Sequence, residues 1–154
     1  MPEDRLALRD VVVEAFGGAQ EADLIEGLRR ERVLTISLVA EVDELICGHV
    51  AMSRLKSPSR AFALAPLAVA SARQRQGIGS ALVRSAIDAA RLDRSEMIFV
   101  LGEPAYYERF GFTIEAAAPF PSPYAGPHFM ALKLTARAVP VGPVVYADAF
   151  DALS

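Results

Sequence analysis

The sequence predicts a single α/β domain in which helices flank a mixed, mostly antiparallel sheet. The first observation is an apolar run, an amphipathic helix and a second apolar run, at residues 62–70, 79–92 and Met97–Leu101. This order is typical of a right-handed parallel βαβ unit. The second is a pair of strand patterns, residues 34–41 and 45–52, joined by a short polar turn that predicts an antiparallel hairpin. The third is the length of 154 residues with 53% hydrophobic residues, which fits one compact domain over residues 1–154.

Two amphipathic helices precede the predicted sheet. The first begins at Pro2-Glu3-Asp4, whose residue types suit a first helical turn, and ends at Gly17-Gly18. Its apolar side chains are Leu6, Leu8, Val12, Val13 and Phe16. The second helix spans about residues 21–32 and carries acids at its start and arginines at its end, as the helix dipole favours. Its predicted buried face consists of Leu24, Ile25 and Leu28.

In the rest of the sequence, predicted helices and strands are separated by loops and turns that contain proline, glycine or serine. Residues 56–60, with one proline and two serines, predict a loop before the βαβ unit. A short helical turn at residues 105–110 should end at Gly111. Residues 119–127 are rich in proline and predict a loop, residues 128–134 predict a strand, and Val144-Val145-Tyr146 is a candidate last strand.

Charge and cysteine content exclude several classes of function. The net charge of −3 argues against a general nucleic-acid binder. The single cysteine, Cys47, lies in an apolar run and is predicted to be a buried, inert thiol. No apolar run is long enough to span a membrane and no signal peptide is evident, so we expect a cytoplasmic protein. Two isolated histidines without ligand spacing indicate no metal site.

The most informative segment is the basic glycine loop Gln74-Arg75-Gln76-Gly77-Ile78-Gly79-Ser80. It lies between a predicted strand and a predicted helix. Glycines allow backbone amides to approach an anion, and the first turn of the helix offers unpaired N–H groups and a partial positive charge. The segment therefore predicts a phosphate site. Arg54, Lys56 and Arg60, which precede it, are predicted to be surface residues.

Two common phosphate-binding loops do not match this segment. A P-loop ends in Gly-Lys-Ser/Thr, whereas this loop ends in Gly79-Ser80 and the following helix has no lysine. A dinucleotide fingerprint has a third glycine where this chain has Leu82, and an acid after the next strand where it has Leu101-Gly102. A simple strand-to-helix turn with glycines for close packing remains an alternative.

Two motifs together resemble those of the GCN5-related N-acetyltransferase (GNAT) family. Gln74-Arg75-Gln76-Gly77-Ile78-Gly79 is similar to that family's Q/R-x-x-G-x-G/A signature between its fourth strand and third helix. Pro104-Ala105-Tyr106-Tyr107-Glu108-Arg109-Phe110-Gly111-Phe112 is similar to its late F-Y-x-x-x-G-F segment. Nearly the whole chain also resembles the YhbS-like subgroup. The resemblance implies the acyl-CoA N-acyltransferase fold of the family.

The resemblance also implies that acetyl-CoA is the co-substrate and assigns its contacts. The main chain of Leu67, Ala68 and Val69 would bond the pantetheine arm as an added strand does. The pyrophosphate would lie over the amides of five residues, namely Gln76, Gly77, Ile78, Gly79 and Ser80. Arg75 would add positive charge, and Arg73 is either a surface residue or a contact of the adenosine 3′-phosphate.

Tyr107 matches the family position of the general acid that protonates the leaving thiolate. A phenol is protonated at neutral pH, because its reference pKa is about 10. The alternative is that Tyr106 and Tyr107 are both packing residues.

The chain departs from the family pattern in three respects. The residues before Tyr107, Val100-Leu101-Gly102-Glu103-Pro104, contain no asparagine for the pantetheine contact that is frequent in the family. The family's first strand is expected to be missing, because the sequence begins almost at a helix, which would leave a sheet edge open or covered by a partner. No spacing singles out a general base; the candidates by residue type are Glu41, Glu103, Glu115, His49 and His128. A water relay or an amine that arrives neutral is an equal alternative.

The resulting prediction is transfer of an acetyl group from acetyl-CoA to a primary amine, with a small molecule as the expected acceptor. The alternative class is a non-catalytic acetyl-CoA sensor or partner module, and a longer acyl group is a further alternative. A homodimer is possible under either reading.

Overall fold

The computed structural model describes residues 2–137 and 139–153 and contains a five-stranded mixed sheet flanked by helices. The strand order is β1-β2-β3-β4-β5, and only the β3–β4 pair is parallel. The strands are β1 (Leu34–Val42), β2 (Leu45–Arg54), β3 (Ala61–Val69), β4 (Met97–Leu101) and β5 (Phe129–Lys133). The α-helices are α1 (Pro2–Phe16), α2 (Gln20–Arg30), α3 (Ile78–Leu92), α4 (Pro104–Tyr107) and α5 (Ile114–Ala117). Three 3₁₀ helices cover Ser71–Arg73, Glu108–Phe110 and Asp148–Leu153.

The predicted hairpin and βαβ unit are both confirmed. Asp43 and Glu44 form the turn between β1 and β2 with φ values of 52° and 65°. Two consecutive residues with positive φ match the twist of a tight hairpin. After β3 and α3, the chain returns to the sheet as β4, parallel to β3.

The parallel ladder between β3 and β4 is short, and this fact positions the functional site. Pairing covers Ala61 with Met97, Phe62 with Ile98 and Ala63 with Phe99. Beyond Ala63, β3 continues to Val69 paired with β2 on its other side. The two central strands therefore diverge, and the side of β3 that faces β4 is left open along its second half.

Each face of the sheet has its own core. On the α3 side, the buried residues include Val50, Met52, Phe62, Ile98 and Met130. On the opposite side, strand residues pack against α2 and the C-terminal segment, as Leu28, Phe99, Phe129, Val144 and Phe150 illustrate. The predicted face of α2 is confirmed, because Leu24, Ile25 and Leu28 are all buried. Cys47 is buried, as predicted.

Three sequence-based assignments are corrected. The buried stripe of α1 consists of Leu8, Val11 and Val12, whereas Leu6 and Phe16 are exposed. The helix α5 was not predicted, although Thr113 caps it by accepting a hydrogen bond from the Ala116 N–H at 3.1 Å.

The third correction is at the C-terminal end. Val144-Val145-Tyr146 does not form a strand; its only ladder contact among the described residues is the bridge from Val145 to Ser57. Pro140 and Pro143 precede it and cannot donate ladder hydrogen bonds, so this segment packs as irregular chain.

Candidate functional site

A cleft of about 540 Å³ lies where β3 ends and α3 begins. Its floor is the end of β3, one wall is the glycine loop, and the other wall is the segment that follows β4. The lining residues are Leu67, Val69, Arg73, Gln74, Arg75, Gly77, Gly79, Ser80, Tyr106 and Arg109. Six of the predicted cofactor contacts are therefore brought together in one depression.

The glycine loop has the backbone geometry of an anion cradle. Arg75 and Gly77 have φ values of 66° and 81°, and Gly77 is the N-cap of α3. The first helical hydrogen bond from this turn is donated by Ala81 to the Gly77 carbonyl, so the preceding N–H groups lie at the unpaired start of the helix. A Cβ at Gly77 would meet no atom within 4 Å, so the space above the loop is open. Together these features provide amide donors at the positive end of a 15-residue helix.

Gly79 is needed for a different reason. A Cβ at this position would lie 2.8 Å from the hydroxyl oxygen of Tyr106, closer than Cβ contacts in real structures. The missing side chain lets the Tyr106 ring close over the start of α3. Tyr106 is thus a wall of the cleft.

Arg109 is a functional candidate that sequence reasoning missed. Its Nε donates to the Tyr106 carbonyl at 3.1 Å, and its guanidinium carbon lies 4.4 Å from the centre of the Tyr106 ring. A guanidinium nitrogen also lies 3.4 Å from the Ser80 Oγ. These contacts with neutral groups fix a positive charge beside the glycine loop. The i, i+3 spacing from Tyr106 on a helical turn was the available signal.

The other two arginines of the cleft differ in their surroundings. Arg73 forms an ion pair with Asp43 at 3.5 Å, in which the Arg73 side chain is partly exposed and the Asp43 side chain is largely solvated. Arg75 is exposed on the loop itself. An exposed ion pair is weak, so a phosphate could compete with Asp43 for Arg73.

The open side of β3 extends from the cleft toward the point where the strands diverge. Leu67 and Val69 line the cleft, whereas the Ala68 side chain is buried on the opposite face beside Leu8 and Val12. Because pairing with β4 ends at Ala63, main-chain groups of the later β3 residues are available to an extended ligand. An extended amide chain can add to a strand edge that offers such main-chain groups.

At the divergence itself lies a second depression, the crevice, with a volume of about 140 Å³. Three β3 residues, Ala63, Leu64 and Ala65, and three β4 residues, Phe99, Val100 and Leu101, form its strand walls. Tyr124, Tyr146 and Phe150 close it from the proline-rich loop and the C-terminal segment. The crevice follows the same strand, β3, as the cleft.

The predicted general acid, Tyr107, is buried within the core on the α3 side, with 9% of its surface exposed. Its ring makes edge contacts with Tyr106 and Phe112 and lies against Gly102, where an added Cβ would be 2.4 Å from the ring. Burial raises the pKa of the Tyr107 phenol to about 12, with a smaller contribution from Tyr106. The phenol is therefore a proton donor throughout the neutral range.

The five candidate bases do not converge on the cleft or the crevice within the described part of the chain. Glu41 lies on the edge strand β1, and Glu103, Glu115 and His128 are exposed. His49 is fully buried beneath the helices, with its Nε2 2.8 Å from the Ser37 Oγ. Burial, and to a smaller extent the charge of Arg29, lower the pKa of His49 to about 4.

Among the described residues, no three side chains of histidine, cysteine, aspartate or glutamate come together to hold a metal ion. None of the helices in this part of the chain is long and apolar enough to cross a membrane.

Comparisons with known proteins agree with this geometry. A family model described as the acetyltransferase (GNAT) domain matches residues 34–114. The uncharacterized N-acetyltransferase YjhQ of Escherichia coli K12 is 34% identical over 148 residues, which cover 87% of this chain and 81% of that protein. The crystal structure of the E. coli GNAT family N-acetyltransferase YhbS in complex with CoA aligns with a TM-score of 0.89 and 30% identity, over 98% of this chain and 88% of that one. A GNAT family acetyltransferase from Brucella melitensis in complex with acetyl-CoA aligns with a TM-score of 0.84 and 31% identity, over 98% and 94% of the two chains.

Proposed function

We propose that this chain transfers an acetyl group from acetyl-CoA to the primary amine of a small molecule. The chain belongs to the GCN5-related N-acetyltransferase (GNAT) family and has the fold of that family. The chain is an acetyl-CoA-dependent N-acetyltransferase. The observation that carries the proposal is that the cleft at the glycine loop and the crevice both lie along β3, on a strand whose pairing with β4 ends at Ala63.

The residues of the cleft fit the phosphates of coenzyme A. The amides of Gln76, Gly77, Ile78, Gly79 and Ser80 would hold the pyrophosphate. Arg75 and Arg109 would supply positive charge from opposite walls of the cleft. Arg109 is already held beside Ser80, at the start of α3. The space left open above Gly77 is the cradle that this interaction needs.

The pantetheine arm would follow β3 from the loop toward the divergence. Its amides would pair with main-chain groups of Leu67, Ala68 and Val69, on the side that β4 does not use. This path delivers the thioester to the crevice. The frequent asparagine contact has no counterpart in the residues before Tyr107, so the strand would carry more of the binding.

The reaction forms one bond and breaks one. The amine nitrogen attacks the thioester carbonyl carbon, the new C–N bond forms, and the C–S bond breaks as the nitrogen loses a proton and the thiolate sulfur gains one. Tyr107 would donate to the sulfur. The pKa of Tyr107, about 12, lies above the ordinary thiol pKa of about 8.5. Tyr107 would therefore donate a hydrogen bond that strengthens as negative charge develops on the sulfur, and would relay the proton that the amine loses to the sulfur.

The test follows free thiol while the protein turns over acetyl-CoA with a panel of primary amines. Tyr107→Phe should lower kcat by about 10²-fold, the lower end of the effect of a positioned acid, and should leave the dissociation constant for acetyl-CoA nearly unchanged. Tyr106→Phe is the matched control, because it removes the neighbouring hydroxyl and keeps the ring under Arg109.

Two results would overturn parts of the proposal. A fully active Tyr107→Phe variant would exclude Tyr107 as the proton donor while leaving the reaction intact. Tight acetyl-CoA binding with no thiol release for any amine would instead favour the non-catalytic sensor.

A further inference from the structure

We infer that the crevice is the acceptor site and that it selects primary amines carried on a compact apolar body about the size of one six-membered ring. This inference rests on the proposed acetyl transfer, because it names the substrate of that same site. It assigns a chemical class to an acceptor that neither the family nor the similar proteins identify.

The position of the crevice is the first argument. It opens immediately past the last paired residues, Ala63 and Phe99, and its strand walls come from both β3 and β4. A thioester delivered along β3 would meet the crevice at this divergence. An amine bound against Tyr124 and Tyr146 would therefore approach the carbonyl from the side opposite the glycine loop.

The volume is the second argument. At about 140 Å³, the crevice is close to the volume of about 150 Å³ at which an apolar protein cavity holds one benzene molecule. A single ring with a short aminoalkyl arm fits this space. A two-ring body, a polyamine chain or a sugar amine does not match it in size or in polarity.

The chemistry of the walls is the third argument. The strand walls are aliphatic or phenylalanine side chains, and the remaining walls are the rings of Tyr124, Tyr146 and Phe150. Tyr124 and Tyr146 meet edge to face with their centres 5.1 Å apart, and Tyr146 and Phe150 are 5.2 Å apart. Such rings favour apolar and aromatic surfaces.

The charged and hydroxyl side chains next to the crevice face other partners. The Ser122 hydroxyl accepts a hydrogen bond from the Tyr124 N–H at 3.0 Å. The acids on the adjoining segments point to other partners: Asp148 binds Lys56, and Glu31 accepts from the Asp148 N–H at 3.0 Å. A polycationic acceptor would therefore find no carboxylate on the crevice walls within the described residues.

This lining also bears on the missing general base. Transfer of an ammonium group from water to an apolar site disfavours its charged form, so the neutral amine is the form that binds. An acceptor that enters the crevice neutral can attack without a dedicated carboxylate or imidazole. This agrees with the absence of all five candidate bases from the crevice walls in the described chain.

The test compares kcat/KM, measured by thiol release at saturating acetyl-CoA, for four kinds of amine. Benzylamine, phenethylamine and cyclohexylmethylamine represent the expected class; tryptamine is too large, spermidine is polycationic, and a lysine peptide represents a protein acceptor. We expect the one-ring amines to exceed the other three by at least about ten-fold. An equal response across the panel, or a preference for spermidine or the peptide, would overturn the inference while the acetyl transfer itself stands.

Variants locate the selectivity. Tyr124→Ala should lower kcat/KM for benzylamine about ten-fold by removing a wall, whereas Tyr124→Phe, which keeps the ring, should stay within about two-fold. Leu101→Ala provides a second wall variant at a half-exposed position in case Tyr124→Ala does not fold. Unchanged benzylamine kinetics in the folded wall variants would refute the assignment.

A binding measurement separates failure of the inference from failure of the proposed function. If no amine releases thiol, ring-proton shifts of benzylamine with the protein and CoA still report on the crevice. Binding that Tyr124→Ala weakens would retain the crevice as a one-ring amine site and reject turnover. Absence of binding would reject the crevice as well.

Discussion

Acid should weaken this fold through one histidine before it protonates most of the carboxylates. His49 lies on β2, which packs against α1, and no part of its side chain is exposed. Its Nε2 contacts the Ser37 hydroxyl, and its Nδ1 is buried without a hydrogen-bond partner among the described residues. Loss of water and the nearby Arg29 charge both oppose the imidazolium, which lowers the pKa of His49 to about 4.

The magnitude follows from this pKa. The unfolded chain binds a proton at His49 as the pH falls below about 6.5, whereas the folded protein does not until about 4. Stability from this group is therefore complete above pH 6.5 and is lost as the pH falls toward 4. At about 1.4 kcal/mol per pH unit, the loss between pH 6.5 and pH 5 is about 2 kcal/mol.

The assay is urea unfolding of the wild-type protein and of His49→Gln at pH 7 and at pH 5. Both pH values lie above the reference pKa values of Asp and Glu, about 3.9 and 4.3. His49→Gln removes the titrating group and keeps a polar side chain near Ser37. Whatever the variant costs at pH 7, its disadvantage relative to wild type should shrink by about 2 kcal/mol at pH 5. His128→Gln is the control, because it makes the same substitution at an exposed histidine. A wild-type and a His49→Gln curve that remain parallel between the two pH values would refute the reasoning.

Three substitutions test the site by geometry and charge. Gly102→Ala places a Cβ 2.4 Å from the Tyr107 ring, so it should displace the ring and lower both kcat and the unfolding temperature, as thiol release and calorimetry would record. Gly79→Ala meets only the far end of Tyr106, at 2.8 Å, so it should mainly raise the acetyl-CoA dissociation constant, measured by calorimetry; an unchanged constant would argue against this wall. Arg109→Gln should weaken CoA binding by about ten-fold and should make that binding less dependent on salt concentration. If the variant loses the same affinity for 3′-dephospho-CoA as for CoA, Arg109 contacts the pyrophosphate.

The elements with local signals were predicted well from the sequence. The Asp43-Glu44 turn, the crossover from β3 through α3 to β4, and the stop at Gly111 each depend on a few adjacent residues. The glycine loop belongs to the same class, because its amide geometry is set by Gly77 and the start of α3. The loop geometry that a phosphate site needs was therefore predictable before any tertiary contact was known.

The remaining parts of the site depend on contacts between distant segments. Arg109 meets Ser80 across 29 positions of the chain, and no local pattern records that contact. Tyr124 and Tyr146 come from irregular proline-containing segments, where neither a helical nor a strand period indicates which side chains turn inward. The α1 stripe shows the same limit, because tertiary packing chose Val11 over Leu6 among many apolar side chains.

In the proposed reaction, the divergence of β3 from β4 would link cofactor binding to acceptor choice, and Pro66 gives a reason in the sequence for this divergence. A proline has no N–H to donate to a ladder, so it disfavours continued pairing in a central strand. Pro66 lies three residues past the last β3–β4 pair, at the point where the β2–β3 register also shifts between Val50 and Met52. The strand stays in the sheet through β2 while its other side is released. The same release opens a main-chain edge for an extended arm and a gap whose walls are the apolar side chains of β3 and β4. If the proposed function holds, the residues that end the ladder would set both how the cofactor is held and how apolar the acceptor must be.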